Sequence, residues 1–314
     1  MLTKFWESFA GRMLERWTPR LLTAALGFWL GGLVAWLWSR PGDFGSAVRS
    51  LGGRIGKLPV SQQMALLISV LLVLLTSALM SERLALPLLR LLEGYWPRRL
   101  AGPLVRRNLR KRAQAMDLAQ RLARHADEDG GLPAEARAQL QEVEALLRRL
   151  PAEAHLMMPT RLGNQLRTAE ERPRERFGLD AIVCWPYLWL LIDDLARDEL
   201  TVARGALNDA TRSWLWAALF GVWTFWAWWA FPAAVVACAL IYHLNLLRAA
   251  ETYGQLLEAT YALNRHKLYD ALRLESPDPT DESPSGRALT AYLWRGIAAP
   301  GMRFRQNASL QGES

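Results

Sequence analysis

The chain has 314 residues, a net charge of +8, 51% hydrophobic and 22% charged residues, room enough for a membrane bundle plus one further domain. Its mean hydropathy of +0.01 is what strongly apolar and strongly charged blocks produce when averaged. Two cysteines far apart, Cys184 and Cys238, indicate neither a disulfide framework nor a metal knuckle.

Residues 1–20 place Phe5, Trp6, Phe9, Met13 and Trp17 near helical spacing, with Lys4, Arg12, Arg16 and Arg20 between them. This pattern predicts a short amphipathic helix on a membrane surface. The next segment, residues 21–83, holds two predicted spans and an external loop. Leu21 to Trp38 is too long for a signal-peptide core and lacks a small-residue cleavage pattern after it. Within it Gly27, Gly31 and Ala35 recur every four residues and offer one small-residue face for helix packing, inside the protein or between copies. Met64 to Met80 is the second span.

From Arg90 to Arg124 ten basic residues face only two acidic ones, a local charge of +8. Such a cluster directly after an apolar run is first a topology signal, second a binder of anionic headgroups and only third a nucleic-acid surface. It puts the end of the second span in the cytoplasm, and with it both termini.

Residues 84–212 read as a helical cytoplasmic domain. Arg83 to Arg99, Leu-rich and ending in aromatic and basic residues, suits an interfacial elbow, a helix is expected from about Leu104 to Ala126, and Pro133 opens another with a core-facing stripe of Leu140, Val143, Leu147 and Leu150. Thr160 caps a short helix through Glu171 that Pro173 is expected to break. Ile192, Ala196, Leu200, Ala203, Leu207, Ala210 and Trp214 form a stripe continuing into a third span.

Residues 213–248 contain no Asp, Glu, Lys or Arg between Ser213 and Arg248 and are Trp-rich, which predicts a transmembrane hairpin turning at Phe231 and Pro232. The fifteen tryptophans fit interfacial anchoring better than an aromatic cofactor box. A helix from Pro232 to Arg273 would be ~60 Å long, with ~30 Å in the bilayer and the rest, residues 249–275, a cytoplasmic rod. In residues 276–314, a flexible linker over Ser276–Gly286 precedes a helix over Arg287–Ala298 that docks through Leu289, Tyr292, Leu293 and Trp294, then a disordered tail. The predicted fold is all-α, a polytopic membrane protein with four transmembrane helices and a helical cytoplasmic domain.

PTRLGNQLRTAE and RFGLDAIVCWP, with LLEGYWP upstream and ALTAYLWRG downstream, resemble phrases shared by a group of uncharacterised bacterial multi-pass membrane proteins. The resemblance implies a bacterial plasma membrane and brings no activity or site residue.

No phosphate-loop, dinucleotide-binding, zinc-protease or nucleophile-elbow motif is present, so no catalytic residue, metal ligand or cofactor is assigned. His125, His155, His243 and His266 lack partners at ligand spacing and read as solvated or packing side chains. Arg161, Asn164, Arg167 and Glu170 share one helix face, with Asp180 beyond the turn. They could fork around a phosphate or carboxylate, although an intradomain salt-bridge network is the simpler reading. Thr224, His243 and Asn245 are the polar residues expected at a pore or membrane interface.

The sequence therefore favours a non-enzymatic membrane protein that self-associates as a scaffold or channel-like effector. A sensor for an anionic ligand or lipid comes second, and a lipid- or nucleotide-modifying enzyme third. The expected partners are the bilayer with its anionic headgroups, further copies of the chain and a cytoplasmic protein; nucleic acid is not expected.

Overall fold

A computed structural model describes residues 19–40, 44–128, 131–278, 281–298 and 302–305. The predicted amphipathic segment before Pro19 and the polar tail after Arg305 lie outside the described residues. Every regular element described is helical. In chain order they are α1 (Pro19–Trp38), α2 (Phe44–Gly56), α3 (Val60–Glu93), α4 (Arg98–Glu128), α5 (Ala134–Leu147), α6 (Arg161–Phe177), α7 (Ala181–Leu191), α8 (Asp194–Phe220), α9 (Ala230–Ala271) and α10 (Glu282–Arg295).

The chain divides into two units. The first is Met1–Leu89 with Ala206–Arg248, the second Arg90–Gly205 with Ala249–Ser314.

In the first unit, α3 buries Leu74, Ala78, Ser81, Ala85 and Leu89, a single stripe at helical spacing. Around that stripe Leu66, Leu67, Ile68, Leu71 and Leu72 are exposed, and only 17% of the apolar stretch is buried inside the protein. The helix α3 therefore presents a broad apolar surface outside its buried stripe. Among the described residues two helices, α3 and α9, are long and apolar enough to cross a membrane. The apolar residues Ala24–Trp38 of α1 make a shorter apolar helix.

The hairpin turn lies earlier than predicted. The helix α8 stops at Phe220, a 3₁₀ turn spans Gly221–Phe225, and α9 begins at Ala230. Pro232 is the third residue of α9, where its missing N–H costs no intrahelical bond, so it starts this helix rather than turning the chain. An aromatic cluster closes the turn: Phe28 lies 5.2 Å from the Trp216 ring and 5.0 Å from that of Trp223, and the Trp29 indole donates to the Ser77 hydroxyl at 3.3 Å.

In the second unit the core gathers Leu179, Cys184 and Leu188 from the α7 region, Leu200 of α8, Leu257, Tyr261 and Leu268 of α9, and Leu289 of α10. Tyr261 is fully buried and its hydroxyl donates to the Ala181 carbonyl at 2.9 Å. The predicted rod is thus the central helix of this unit, because its apolar stripe is buried by the unit's other helices.

Three further expectations need correction. The helix α6 runs through Pro173 to Phe177 and ends at Gly178 (φ +72°), where Gly178 N–H donates to Arg174 O and Leu179 N–H to Pro173 O. Proline removes one N–H, and the flanking bonds hold the remaining turn. The predicted linker is helical from Glu282, and Trp294 is 73% exposed rather than docked, whereas Leu289 is fully buried. The α5 stripe is only half-buried.

Candidate functional site

Two of the phrases singled out in the sequence meet in the second unit. The helix α3 ends because Gly94 takes φ +101°, a conformation glycine adopts without strain. The N–H groups of Gly94 and Tyr95 donate to Arg90 O, and the Trp96 indole donates to Leu91 O at 2.7 Å. Thr160 caps α6 by accepting from Gly163 N–H at 3.0 Å and donates its hydroxyl to the Glu93 carbonyl at 2.7 Å. Gly163 rests on that same carbonyl with no room for a Cβ, and Gly94 leaves none beside the Pro159 ring.

The loop between them is clamped. Asn164, 2% exposed, accepts from Met158 N–H at 2.8 Å and donates back to Met158 O at 3.0 Å. Asn108 of α4 donates to Met158 O and Pro159 O.

This seam brings Glu93 and Glu170 together among Arg90, Arg167 and Arg204. Glu93 lies thirteen residues past the apolar span that ends at Met80. Burial raises its pKa, the Glu170 charge raises it further, and Arg204, Arg90 and Arg167 pull it back. Burial likewise raises Glu170, against the pull of Arg167, which pairs with it at 3.4 Å. The Glu170 side chain is 46% accessible, so solvent screens much of its share. The Arg204 guanidinium lies over the Tyr253 ring at 5.4 Å. Two carboxylates of raised proton affinity set among arginines can hold a proton or lock a charge network.

A second seam joins the other two phrases. Thr290 of α10 accepts from Asp180 N–H at 3.1 Å and donates to Gly178 O at 3.3 Å. Gly286 touches the Phe177 carbonyl with no space for a Cβ. Beside it Cys184 is buried, which pushes its thiol up to about 11 and keeps it unreactive at neutral pH.

The predicted anion receptor is dispersed by these arrangements. Asn164 serves the loop backbone, and Asp180 caps α7 by accepting from Ile182 and Val183 N–H. Arg167 pairs with Glu170, and Arg161 is exposed, with no ion pair among the described residues. Thr224 bonds its own turn at Gly221 O, while His243 and Asn245 are exposed within a π turn of α9, Ile241–Leu246. His125, His155 and His266 are exposed as well. Of the small-residue face, Gly31 receives the Phe220 ring, Ala35 is buried and Gly27 has nothing within 4 Å. Gly32, absent from the predicted face, receives the Trp223 ring.

Glu93, Arg204 and Tyr253 escaped the sequence reading because their partners lie on other helices. The one sequence signal for Glu93 was its place before the glycine of LLEGYWP. Among the described residues no group of three or more His, Cys, Asp or Glu is arranged to hold a metal. Compared with protein-family models, curated proteins and solved structures, the chain matches none.

Proposed function

We propose that this chain is a non-enzymatic, multi-pass protein of a bacterial plasma membrane, with four spans and both termini cytoplasmic. In this reading the second unit is a binding module for an anionic bilayer surface. The carrying observation is the first half of α4. Arg98, Arg99, Arg106, Arg107, Arg110 and Lys111 are exposed and have no ion pair among the described residues, whereas farther along Arg121 pairs with Asp117 at 2.7 Å. Arg99, Arg106, Arg107 and Arg110 fall within about 100° of one another around the helix. A basic residue beside an anionic membrane contributes about 1 kcal/mol, so a face of this kind supports stable adhesion. That support puts the anionic-surface reading ahead of self-association.

The test is hydrogen exchange on the full chain in nanodiscs. Residues 98–112 should be better protected in phosphatidylglycerol than in phosphatidylcholine, and the difference should fade with salt as charges are screened. Replacing Arg106, Arg107, Arg110 and Lys111 together by Gln should abolish it. Equal protection in both lipids would refute the reading.

A further inference from the structure

The external loop expected between the first two apolar helices is largely helical, because α2 occupies residues 44–56 of it. Phe44, Val48, Leu51 and Ile55 fall within about 60° of one another around the α2 axis, a stripe that in a folded domain faces a core. Here it has none. No residue of α2 is buried, and Phe44, Val48 and Ile55 expose 41, 43 and 37% of their surface. Four of the thirteen residues are glycine, and Gly52, Gly53 and Gly56 have nothing within 4 Å that would explain them by close packing. A helix this short with this much glycine has little stability of its own in water, so its stripe needs a cover.

Position says where that cover lies. Gln63 of α3 donates its side-chain amide to Ile55 O at 3.3 Å and to Leu58 O at 3.0 Å, which ties the end of α2 to the residue just before the apolar stretch 64–80. The other end follows α1 by five residues, and there the Arg40 guanidinium lies 4.3 Å over the Trp36 ring while the Ser39 hydroxyl donates to Trp36 O at 2.8 Å. A helix about 20 Å long is therefore held at both ends where two apolar helices stop, which is headgroup depth when those helices cross a bilayer. A cation stacked on an indole suits the same depth.

Charge says what the cover is. Between Trp38 and Val60, Arg40, Arg49, Arg54 and Lys57 face one acid, Asp43, and from Phe44 to Ser81 there is no Asp or Glu. Arg49 and Arg54 leave α2 on either side of the stripe, are exposed, and have no ion pair among the described residues. An apolar stripe flanked by such cations suits an anionic interface, with arginine stems over the acyl boundary and guanidinium groups among phosphates. A second copy seated on the same stripe would bring these cations toward one another, which disfavours it.

We propose that α2 is an interfacial helix that docks on an anionic phospholipid surface, its stripe in the acyl boundary and Arg49, Arg54 and Lys57 on headgroup phosphates. The placement rests on the multi-pass reading, in which α1 and α3 cross the bilayer and α2 lies on the outer leaflet. It is separate from the basic face of α4, so either can fail alone.

The experiment is hydrogen exchange on the full chain in nanodiscs holding one copy, read at residues 44–56. Exchange there should be at least about tenfold slower in phosphatidylglycerol than in phosphatidylcholine, and replacing Arg49, Arg54 and Lys57 together by Gln should remove the difference. Val48→Asp with Ile55→Asp should release α2 in both lipids. Because neither side chain is buried, exchange over residues 64–80 and 161–177 should stay that of the parent, which shows that this variant is folded. Free or equal exchange of 44–56 in the two lipids, or protection that the two aspartates leave intact, would overturn the proposal. So would protection confined to discs holding two copies, which would make a second copy the occupant. The multi-pass reading fails separately, if residues 64–80 exchange freely in the discs.

Discussion

The Thr160 hydroxyl donates to the carbonyl of Glu93 at 2.7 Å while accepting from Gly163 N–H, so one side chain both starts α6 and secures the end of α3. Thr160→Val keeps the shape and loses both bonds. It should lower stability by about 1–2 kcal/mol, the usual range for a cap and a partly buried hydrogen bond, seen as a lower melting temperature of the purified protein. A variant that melts with the parent would show that the seam is held by packing alone.

Gly163 and Gly205 form a matched pair. At Gly163 a Cβ would collide with the Glu93 carbonyl, whereas at Gly205 there is nothing within 4 Å. Gly163→Ala should cost about 1–3 kcal/mol by overpacking, and Gly205→Ala should add about 0.5–1 kcal/mol through helix propensity. Melting curves of both variants decide it, and the prediction fails if they shift in the same direction.

The Glu93–Glu170 pair gives stability a definite pH slope. Both carboxyls bind a proton more tightly when folded than at their ordinary value of 4.5. Their contribution is therefore fully present below that value and is lost as pH rises through the raised folded values. Glu93→Gln removes one charge and relieves Glu170, so its melting temperature should gain on the parent's as pH rises from 5 toward 8. A difference independent of pH would show that folding does not raise the proton affinity of Glu93.

The docking of α10 rests on Thr290 and Gly286. Thr290→Val leaves Asp180 N–H without its acceptor and should cost about 1–2 kcal/mol. Gly286→Ala must push α10 off the Phe177 carbonyl. Hydrogen exchange should show residues 282–295 opening before the rest of the second unit, and uniform protection across that unit would contradict this.

The helical elements were legible because local forces write them. Thr160 marks the start of α6, the stripe from Ile192 to Ala210 is buried apart from the half-buried Ala196, and the long helix after Pro232 continues to Ala271. Pro173 and Pro232 misled the reading, since a proline's effect depends on whether its missing N–H would have had a partner. The apolar runs and the basic block were likewise written in composition.

Tertiary structure alone decided the rest. That LLEGYWP meets PTRLGN and that the carboxylates of Glu93 and Glu170 share one neighbourhood both depend on residues distant in sequence. No periodicity encodes which helix covers which face, because the hydrophobic effect that drives packing has no direction; close backbone contacts at Gly163 and Gly286 select the arrangement.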